Sequence, residues 1–358
     1  MAVGELWVES TQGTWQLTGP AAAGFGLVND FLAHLADRNY SARTLRSYAF
    51  DLLAFARWLI DERVGLDQVD TDVLLRFIAH CREANVTGRP GGNVYSIRDG
   101  RNAGYAPATV NRRLAAISGL FGFRCLRDPT APNPVPKRRE AGRTGRGERG
   151  GLLGHLARPR TRSALRLRQP RRLPRGLDRR EAQGLLESFR SWRDRAMAGL
   201  MLYSGLRSAE VLGVHVRDVD IGRRWVRVIG KGDKERRVPL DVEVAGAIQT
   251  YLLAERPETD STRLFVVAKG PHRGEPLTPA GLRTVFRYHR ARSGVTAGHP
   301  HALRHSFGTA LAEAGVDLAV MQALLGHDHV ESTAAYIHLA PAHVRAEFDA
   351  ARSRERRR

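Results

Sequence analysis

The chain of 358 residues is long enough for two domains, and its 42% hydrophobic content is ordinary for a folded globular protein, which excludes a disordered chain. Lysine and arginine outnumber aspartate and glutamate by 57 to 37, and the net charge of +20 predicts a polyanionic partner, with nucleic acid as the first choice. No uncharged apolar run approaches the roughly 18 residues that a spanning helix needs, so we expect no membrane partner.

The first ten residues and the cysteines indicate the expected location of the protein and exclude two kinds of small domain. The first ten residues have neither a basic segment nor an apolar segment of the kind found in secretory signals, so a cytoplasmic location is expected. Cys81 and Cys125 are the only cysteines and lie far apart, which predicts neither a disulfide framework nor a zinc module.

The first half of the chain divides into an arm and a helical domain. Residues 1–24 have little periodic apolar pattern and are predicted to form a loose arm. Residues 25–128 carry apolar side chains at helical spacing, with Ser41 as an N-cap and further helices near 71–82 and from Pro107 onward. This pattern predicts a compact all-α domain.

Residues 129–176 have the composition of a linker. Four prolines lie between positions 129 and 136, and residues 137–175 contain 14 Lys or Arg against 2 Glu, a net of +12. One interpretation is a solvated connector, and another is a tether that follows DNA phosphates and releases their counterions. The two are compatible.

Residues 177–345 are predicted to form a second domain that is mainly α-helical with a small antiparallel β-sheet. Asp178 and Glu181 have the spacing of a capping box, and Trp225–Ile229 with Glu235–Leu240 reads as a hairpin. Later helices are predicted near 241–254, from Thr278 with Pro279, from His301 to Ala314, and from Asp317 to Leu325. Residues 346–358 form a basic tail.

Several residues of this domain could bind or attack a phosphate. His301 and Arg304 are three positions apart, so on a helix they share a face and can reach one phosphate. Arg207 precedes Glu210, which can orient it, and Lys231 lies in the hairpin turn. Each of these residues alone is also compatible with an ordinary surface position.

Tyr336 is the tyrosine that is hardest to explain by packing. It follows His327 by nine residues, in a segment over 329–338 that reads as a helix. Tyr203 and Tyr251 lie on apolar faces and are better explained as core residues, whereas Tyr336 lies less clearly on one.

A histidine-based metal site is a competing interpretation. It is disfavoured because Arg304 would place a fixed positive charge inside the site, and no cysteine or carboxylate cluster completes a ligand shell. We expect neither metal nor cofactor, and we interpret the remaining histidines as supports of the site. These are His299, His305, His329 and His338.

The joint order of the candidate residues resembles the tyrosine recombinases, the phage integrase and Xer family. That family has an arginine in a GLRxxE context, a lysine in a GKGxKxR hairpin, an HxLRH helix, an LLGH turn and a final tyrosine. Here these motifs place Arg207, Lys231, His301, Arg304, His327 and Tyr336. The resemblance is strong over 177–345 and weaker over 25–128, which is similar to the family's SAM-like core-binding domain. It implies a two-domain clamp on DNA.

The resemblance implies a site-specific recombinase of double-stranded DNA that uses a 3′-phosphotyrosyl intermediate and needs neither ATP nor metal. Tyr336 is then the nucleophile, and Arg207 and Arg304 hold the phosphate with His327. His301 accepts the phenol proton, and Lys231 protonates the leaving 5′ oxygen. The family also implies a homotetramer on paired DNA sites, with an accessory or excision factor as a further partner.

Two alternative functions stay open. A type IB topoisomerase shares this chemistry but rejoins the same strand, and an architectural DNA-binding protein could keep the fold without catalysis.

In the C-terminal region, Val344 and Phe348 share one side of a predicted short helix. By analogy with the family they dock on a neighbouring protomer, and intrachain packing explains them equally well.

Overall fold

The computed structural model divides the chain into two compact units, Met1–Pro170 and Arg171–Arg358. The described residues are 6–11, 14–84, 104–139, 161–169, 176–230 and 232–326, with positions 333 and 336. Within these ranges we find no helix with both the length and the apolar character needed to cross a membrane.

The first unit is a group of helices that packs against a β-hairpin. Its elements are β1 (Trp7–Thr11), β2 (Thr14–Thr18), α1 (Gly26–Asp37), α2 (Ala42–Asp61), α3 (Thr71–Glu83), α4 (Pro107–Arg127), β3 (Lys137–Arg139) and β4 (Thr161–Ser163). Helix α2 begins as predicted, because the Ser41 side chain accepts a hydrogen bond from the Thr44 backbone N–H. Phe55, Trp58 and Phe77 pack ring against ring between α2 and α3 and form the centre of the core.

The prediction of a loose arm over residues 1–24 was wrong. Strands β1 and β2 pair in antiparallel register, and Leu6 and Leu17 are buried. Arg57 donates to the Leu6 carbonyl oxygen, and the Asn29 side chain bonds both backbone groups of Leu17. Local apolar periodicity missed the hairpin because so few of its side chains face the core.

The linker prediction for residues 129–176 was also wrong in part. The Thr71 hydroxyl donates to the Pro134 carbonyl oxygen, and Val135 is buried in the first core. Strands β3 and β4 pair, and Leu167 exchanges two hydrogen bonds with the Asn111 side chain. The few apolar residues among many arginines attach this segment to the first unit. Residues 140–160 and 170–175 lie outside the described residues, so the DNA-tether interpretation stays a prediction.

The second unit surrounds one buried helix. Its elements are α5 (Arg179–Ser188), α6 (Trp192–Leu202), α7 (Ser208–Gly213), β5 (Val219–Asp220), β6 (Trp225–Ile229), β7 (Glu235–Pro239), α8 (Val242–Thr250), α9 (Pro279–Ser293), α10 (Pro300–Glu313) and α11 (Leu318–Leu325). Helix α6 is buried from Ala196 through Leu202 and packs against α8 and α10. The predicted capping box of Asp178 and Glu181 starts α5.

The small sheet has the order β5-β6-β7, and all of its pairs are antiparallel. Val226 pairs with Val238, and both are fully buried against the core of the unit. Arg236 pairs with Val228, two positions along each strand, so it lies on the same inner face. The strand period therefore directs one arginine of the hairpin toward the interior.

Candidate active site

Arg207 lies at the start of α7, directly after a tight turn. Gly205 in that turn has φ +65°, and a Cβ at this position would overlap the Phe307 ring, so the turn requires glycine. Arg207 Nη1 donates to Glu210 Oε1 at 2.7 Å, and Nη2 donates to the Gly326 carbonyl oxygen at 2.7 Å. Its side chain remains 35% exposed, so the guanidinium is held in place but still accessible.

The carboxylate of Glu210 is buried and shared with a second arginine. Arg236 donates to it from Nη1 at 2.8 Å and from Nη2 at 2.9 Å, and the Arg207 backbone N–H adds a bond of 2.8 Å. Burial alone would raise the pKa of the Glu210 carboxyl. The hydrogen bonds and charges of Arg236 and Arg207 outweigh it and hold the pKa below its ordinary value. Glu210 is therefore a permanent anion at neutral pH.

Arg304 is the most deeply buried cation of the site. It is 2% exposed on α10, and it donates to the Gly205 carbonyl oxygen at 2.5 Å and to the Leu325 carbonyl oxygen at 2.6 Å. Burial and the positive charge of Arg207 lower the pKa of Arg304 to about 10, which leaves the group charged at neutral pH. The two guanidiniums thus bind the carbonyls of consecutive residues, Leu325 and Gly326, at the end of α11.

This convergence provides the geometry of an anion site. Two planar cations that bind the carbonyls of consecutive residues can together hold the non-bridging oxygens of a phosphodiester. Gly326 ends α11 with φ +60°, as the sequence predicted, and Arg236 Nε bonds the Leu324 carbonyl oxygen at 3.1 Å. Arg236 therefore connects the β6–β7 hairpin to the same turn.

The predicted histidine His301 lies in the first turn of α10, and His299 caps that helix through Nδ1. Partial burial of the His301 imidazole, with the charges of Arg304, His299 and Arg207, lowers its pKa. A neutral imidazole at this position can accept a proton. The structure therefore places His301 and Arg304 on one helix with Arg207 nearby.

Tyr336 is 2% exposed and is packed with Met321 and Leu325. Its ring rests on Gly308 of α10, where a Cβ would come within 2.5 Å of the tyrosine Cε1. Burial raises the pKa of the Tyr336 phenol, although the positive charges of Arg304 and Arg207 act in the opposite direction. The prediction that packing explains Tyr203 better than Tyr336 was wrong, because Tyr203 is 41% exposed.

The phenol of Tyr336 contacts a histidine that the sequence interpretation had treated as a support. His305 Nδ1 lies 2.9 Å from Tyr336 Oη, and the His301 and His305 rings are 4.1 Å apart between centroids. Sequence reasoning also missed Arg236, although it is the last residue of the GKGxKxR motif. Both His305 and Arg236 belong to a sequence motif, but only the folded structure shows which groups they bond.

Two candidate residues, Lys231 and His327, lie outside the described residues, as do His329 and His338. The predicted helix over 329–338 is described only at positions 333 and 336, and both are helical. Among the residues that the structure does describe, no cluster of three or more histidine, cysteine or acidic side chains is arranged to hold a metal ion.

Comparison with known proteins identifies relatives over nearly the whole chain. The phage integrase family profile matches residues 175–343, and the profile of the phage integrase N-terminal SAM-like domain matches residues 28–90. Tyrosine recombinase XerC of Roseiflexus castenholzii is 32% identical, with 87% of this chain and 88% of the relative covered. Tyrosine recombinase XerD of Lacticaseibacillus casei is 29% identical, with 90% and 97% covered.

Solved structures show the same fold. The XerH site-specific recombinase bound to its palindromic difH substrate, a post-cleavage complex, has a TM-score of 0.59 at 21% identity, over 92% of this chain and 88% of that one. The Tn1549 transposon integrase in complex with transposon right end DNA has a TM-score of 0.61 at 18% identity, over 90% and 98%. The two-domain helical architecture with a small antiparallel sheet is therefore confirmed.

Proposed function

The chain belongs to the phage integrase family of tyrosine recombinases, which are site-specific DNA recombinases, and from that premise we propose that it cleaves and rejoins double-stranded DNA through a 3′-phosphotyrosyl intermediate. The observation that carries this proposal is the convergence of Arg207 and Arg304 at the end of α11, where Tyr336 shares an apolar cluster with Leu325. A phosphodiester bound by the two guanidiniums is held beside a phenol.

The two arginines supply the charge stabilisation. Negative charge builds on the non-bridging oxygens as phosphorus becomes pentacoordinate, and a preorganised donor is typically worth about 3–4 kcal/mol in the transition state. Glu210 supports this role because it anchors Arg207 on one edge through a bond of 2.7 Å. His327 is proposed as a further donor. Such a site uses guanidiniums where many phosphoryl-transfer sites use a metal ion, so the proposed step needs no metal.

Proton transfer is required at both oxygens of the reaction. A phenol of ordinary pKa near 10 is only about 0.1% ionised at neutral pH, and burial of Tyr336 lowers that fraction further. The family resemblance assigns the phenol proton to His301 on α10, and it assigns protonation of the leaving 5′ oxygen to Lys231. One phosphodiester is exchanged for a phosphotyrosyl ester, so the energy of the bond is kept and ATP is not needed.

We propose different roles for the two units. We assign residues 25–128 as the core-binding domain and residues 177–345 as the catalytic domain, and both contribute to the grip on DNA. The excess positive charge of residues 137–175 supports a DNA contact for the segment between them.

Assembly on paired sites is proposed to use the C-terminal segment. A groove on the catalytic unit lies between α5, α6, α8 and α10, and its lining includes the apolar side chains of Leu186, Val244 and Phe307. An apolar segment such as that of Val344 and Phe348 from a neighbouring protomer suits this groove in a homotetramer. An accessory or excision factor is a further proposed partner.

Covalent capture of DNA tests the chemistry. A random-sequence duplex library is incubated with the protein, denatured in SDS, and sequenced from the DNA that stays attached, which also identifies the recognised site. We expect an SDS-stable adduct with the wild-type chain and with Tyr288→Phe, which changes an exposed tyrosine of α9. Tyr336→Phe should bind the same duplex without forming the adduct.

The outcome separates the competing functions. An adduct with Tyr336→Phe would show that the nucleophile is another residue, and duplex binding without any wild-type adduct would favour an architectural role. Recombination between two plasmid copies of the captured site supports a recombinase, and relaxation of supercoils without exchange supports a type IB topoisomerase.

A further inference from the structure

The phenol of Tyr336 forms a hydrogen bond with a side chain of α10. His305 Nδ1 lies 2.9 Å from Tyr336 Oη, and the two ring centroids are 5.7 Å apart. A ring nitrogen and a phenolic oxygen at this distance share one proton. The position of the Tyr336 ring is restricted by packing, because the ring lies against Gly308 and is packed with Met321 and Leu325.

The charge state and the tautomer of His305 together set the direction of this hydrogen bond. Burial, followed by the charges of His301, Arg304 and His299, lowers the pKa of His305 to about 4. The imidazole is therefore neutral at physiological pH, and the Tyr336 phenol, with its raised pKa, keeps its proton. In the neutral tautomer that carries its proton on Nε2, Nδ1 accepts and the phenol donates, which is the arrangement that precedes proton transfer.

The role of His301 is different in this geometry. Its ring is 4.1 Å from the His305 ring in an edge-on arrangement. His301 is exposed, and the charges of Arg304 and Arg207 both act on its imidazole. The tyrosine oxygen is hydrogen-bonded to His305. An imidazole beside the two guanidiniums is positioned to contact the phosphate rather than the nucleophile.

We propose that His305, rather than His301, accepts the phenol proton when Tyr336 attacks DNA, an inference that rests on the function proposed above. In this step the O–H bond of Tyr336 breaks and an Nδ1–H bond forms on His305. The freed oxygen bonds to phosphorus, the bond from phosphorus to the 5′ oxygen breaks, and that oxygen takes a proton from Lys231. His301 contacts the phosphate.

DNA itself supplies the change in basicity that this step needs. Burial is the largest cause of the low pKa of His305, and the positive charge of Arg304 lowers it further. A phosphodiester bound at Arg207 and Arg304 brings a negative charge to those cations and raises the basicity of His305 as the substrate arrives. The base is thus weak in the free enzyme and stronger in the complex.

The test uses the full chain and a nicked duplex that carries the captured site, in which cleavage releases a short fragment so that the adduct accumulates. His305→Asn keeps an acceptor oxygen near the place of Nδ1 but cannot take up a proton, whereas His305→Ala removes both functions. We expect both variants to form the adduct about a hundredfold more slowly or worse, the usual loss when a general base is removed. His272→Ala, an exposed histidine of the same unit, should react like the wild type.

Rescue separates a proton acceptor from a structural support. Imidazole added to His305→Ala should restore adduct formation in proportion to its neutral fraction, with a rise as the pH passes the pKa of imidazole. The same additive should not restore His301→Ala. A rate for His305→Asn within threefold of the wild type, or rescue of His301→Ala in place of His305→Ala, overturns the inference and leaves the proposed function standing. If the wild type forms no adduct through Tyr336, both proposals fail.

Discussion

Glu210→Gln removes the buried anion on which the arginine network depends. The carboxylate side chain is 3% exposed and accepts bonds from the Arg207 backbone, from Arg207 Nη1 and from both Nη atoms of Arg236. Arg304 Nη1 lies a further 3.9 Å from Oε2. A glutamine retains one acceptor oxygen and turns an NH2 group toward N–H donors. Two hydrogen bonds are lost, and three guanidiniums lose their shared counter-charge.

The size of the effect follows from these contacts. A hydrogen bond to a charged group contributes about 1.5–3 kcal/mol, and removing one partner of a buried ion pair typically costs about 3–5 kcal/mol. We therefore expect the free energy of unfolding of the catalytic unit to fall by about 3–5 kcal/mol. That is a large part of the roughly 5–15 kcal/mol that stabilises a domain.

Pulse-labelling hydrogen exchange along a urea series measures each unit separately in the full chain. Peptides from α6 and α7 report on the catalytic unit, and peptides from α2 and α3 report on the first unit as an internal reference. Glu313→Gln is the matched control, because it removes the same charge from an exposed position of α10. The control should stay within about 0.5 kcal/mol of the wild type.

The pH dependence of the stability loss in Glu210→Gln can also be predicted. The pKa of Glu210 is held below its ordinary value of 4.5, so its contribution is fully present above that pH and is lost as the pH falls through the folded-state pKa. The difference between the wild type and Glu210→Gln should therefore shrink below about pH 4.5. A loss of less than 1 kcal/mol at pH 7, or a gap that widens in acid, would refute this account of the network.

Two further substitutions test the contacts of the site. Gly308→Ala should displace the ring of Tyr336, because the added Cβ would come within 2.5 Å of that ring. Adduct formation should therefore slow at least tenfold, although alanine stabilises a helix by about 1 kcal/mol relative to glycine. Gly246→Ala in α8, with open space around the new Cβ, should change neither the rate nor the site, and equal rates for both variants would contradict the steric argument. Arg236→Gln should weaken the bond between Glu210 and the hairpin and lower the stability of the catalytic unit by about 2–3 kcal/mol, measured in urea, whereas Arg237→Gln on the exposed face should cost under about 0.5 kcal/mol.

Local signals predicted the helices and turns of the catalytic unit well. Thr278 with Pro279 begins α9, the capping box at Asp178 begins α5, and Gly326 ends α11. Each signal depends only on residues within one helical turn, where the backbone needs a side-chain acceptor or a positive φ. The motif order was equally readable and led to the correct family.

Local patterns did not predict the N-terminal hairpin or the attachment of residues 134–139 and 161–167 to the first unit. Leu17 lies between Gln16 and Thr18, and Val135 lies between two prolines, so neither belongs to a periodic apolar pattern. Their burial depends on helices outside their own segments. Apolar periodicity depends only on neighbours along the chain. It therefore underestimates the burial of a segment that is covered by another helix or strand.

The sequence by itself determined which residues could carry the chemistry, because the motif order and the helix spacing of His301 and Arg304 are properties of the chain. Only the tertiary structure decided which groups touch. The bond between His305 and Tyr336 joins positions 31 residues apart, and the bond between Arg304 and the Gly205 carbonyl joins positions 99 apart. Such contacts depend on how α6, α10 and α11 pack, and packing is a property of the whole core rather than of any local pattern.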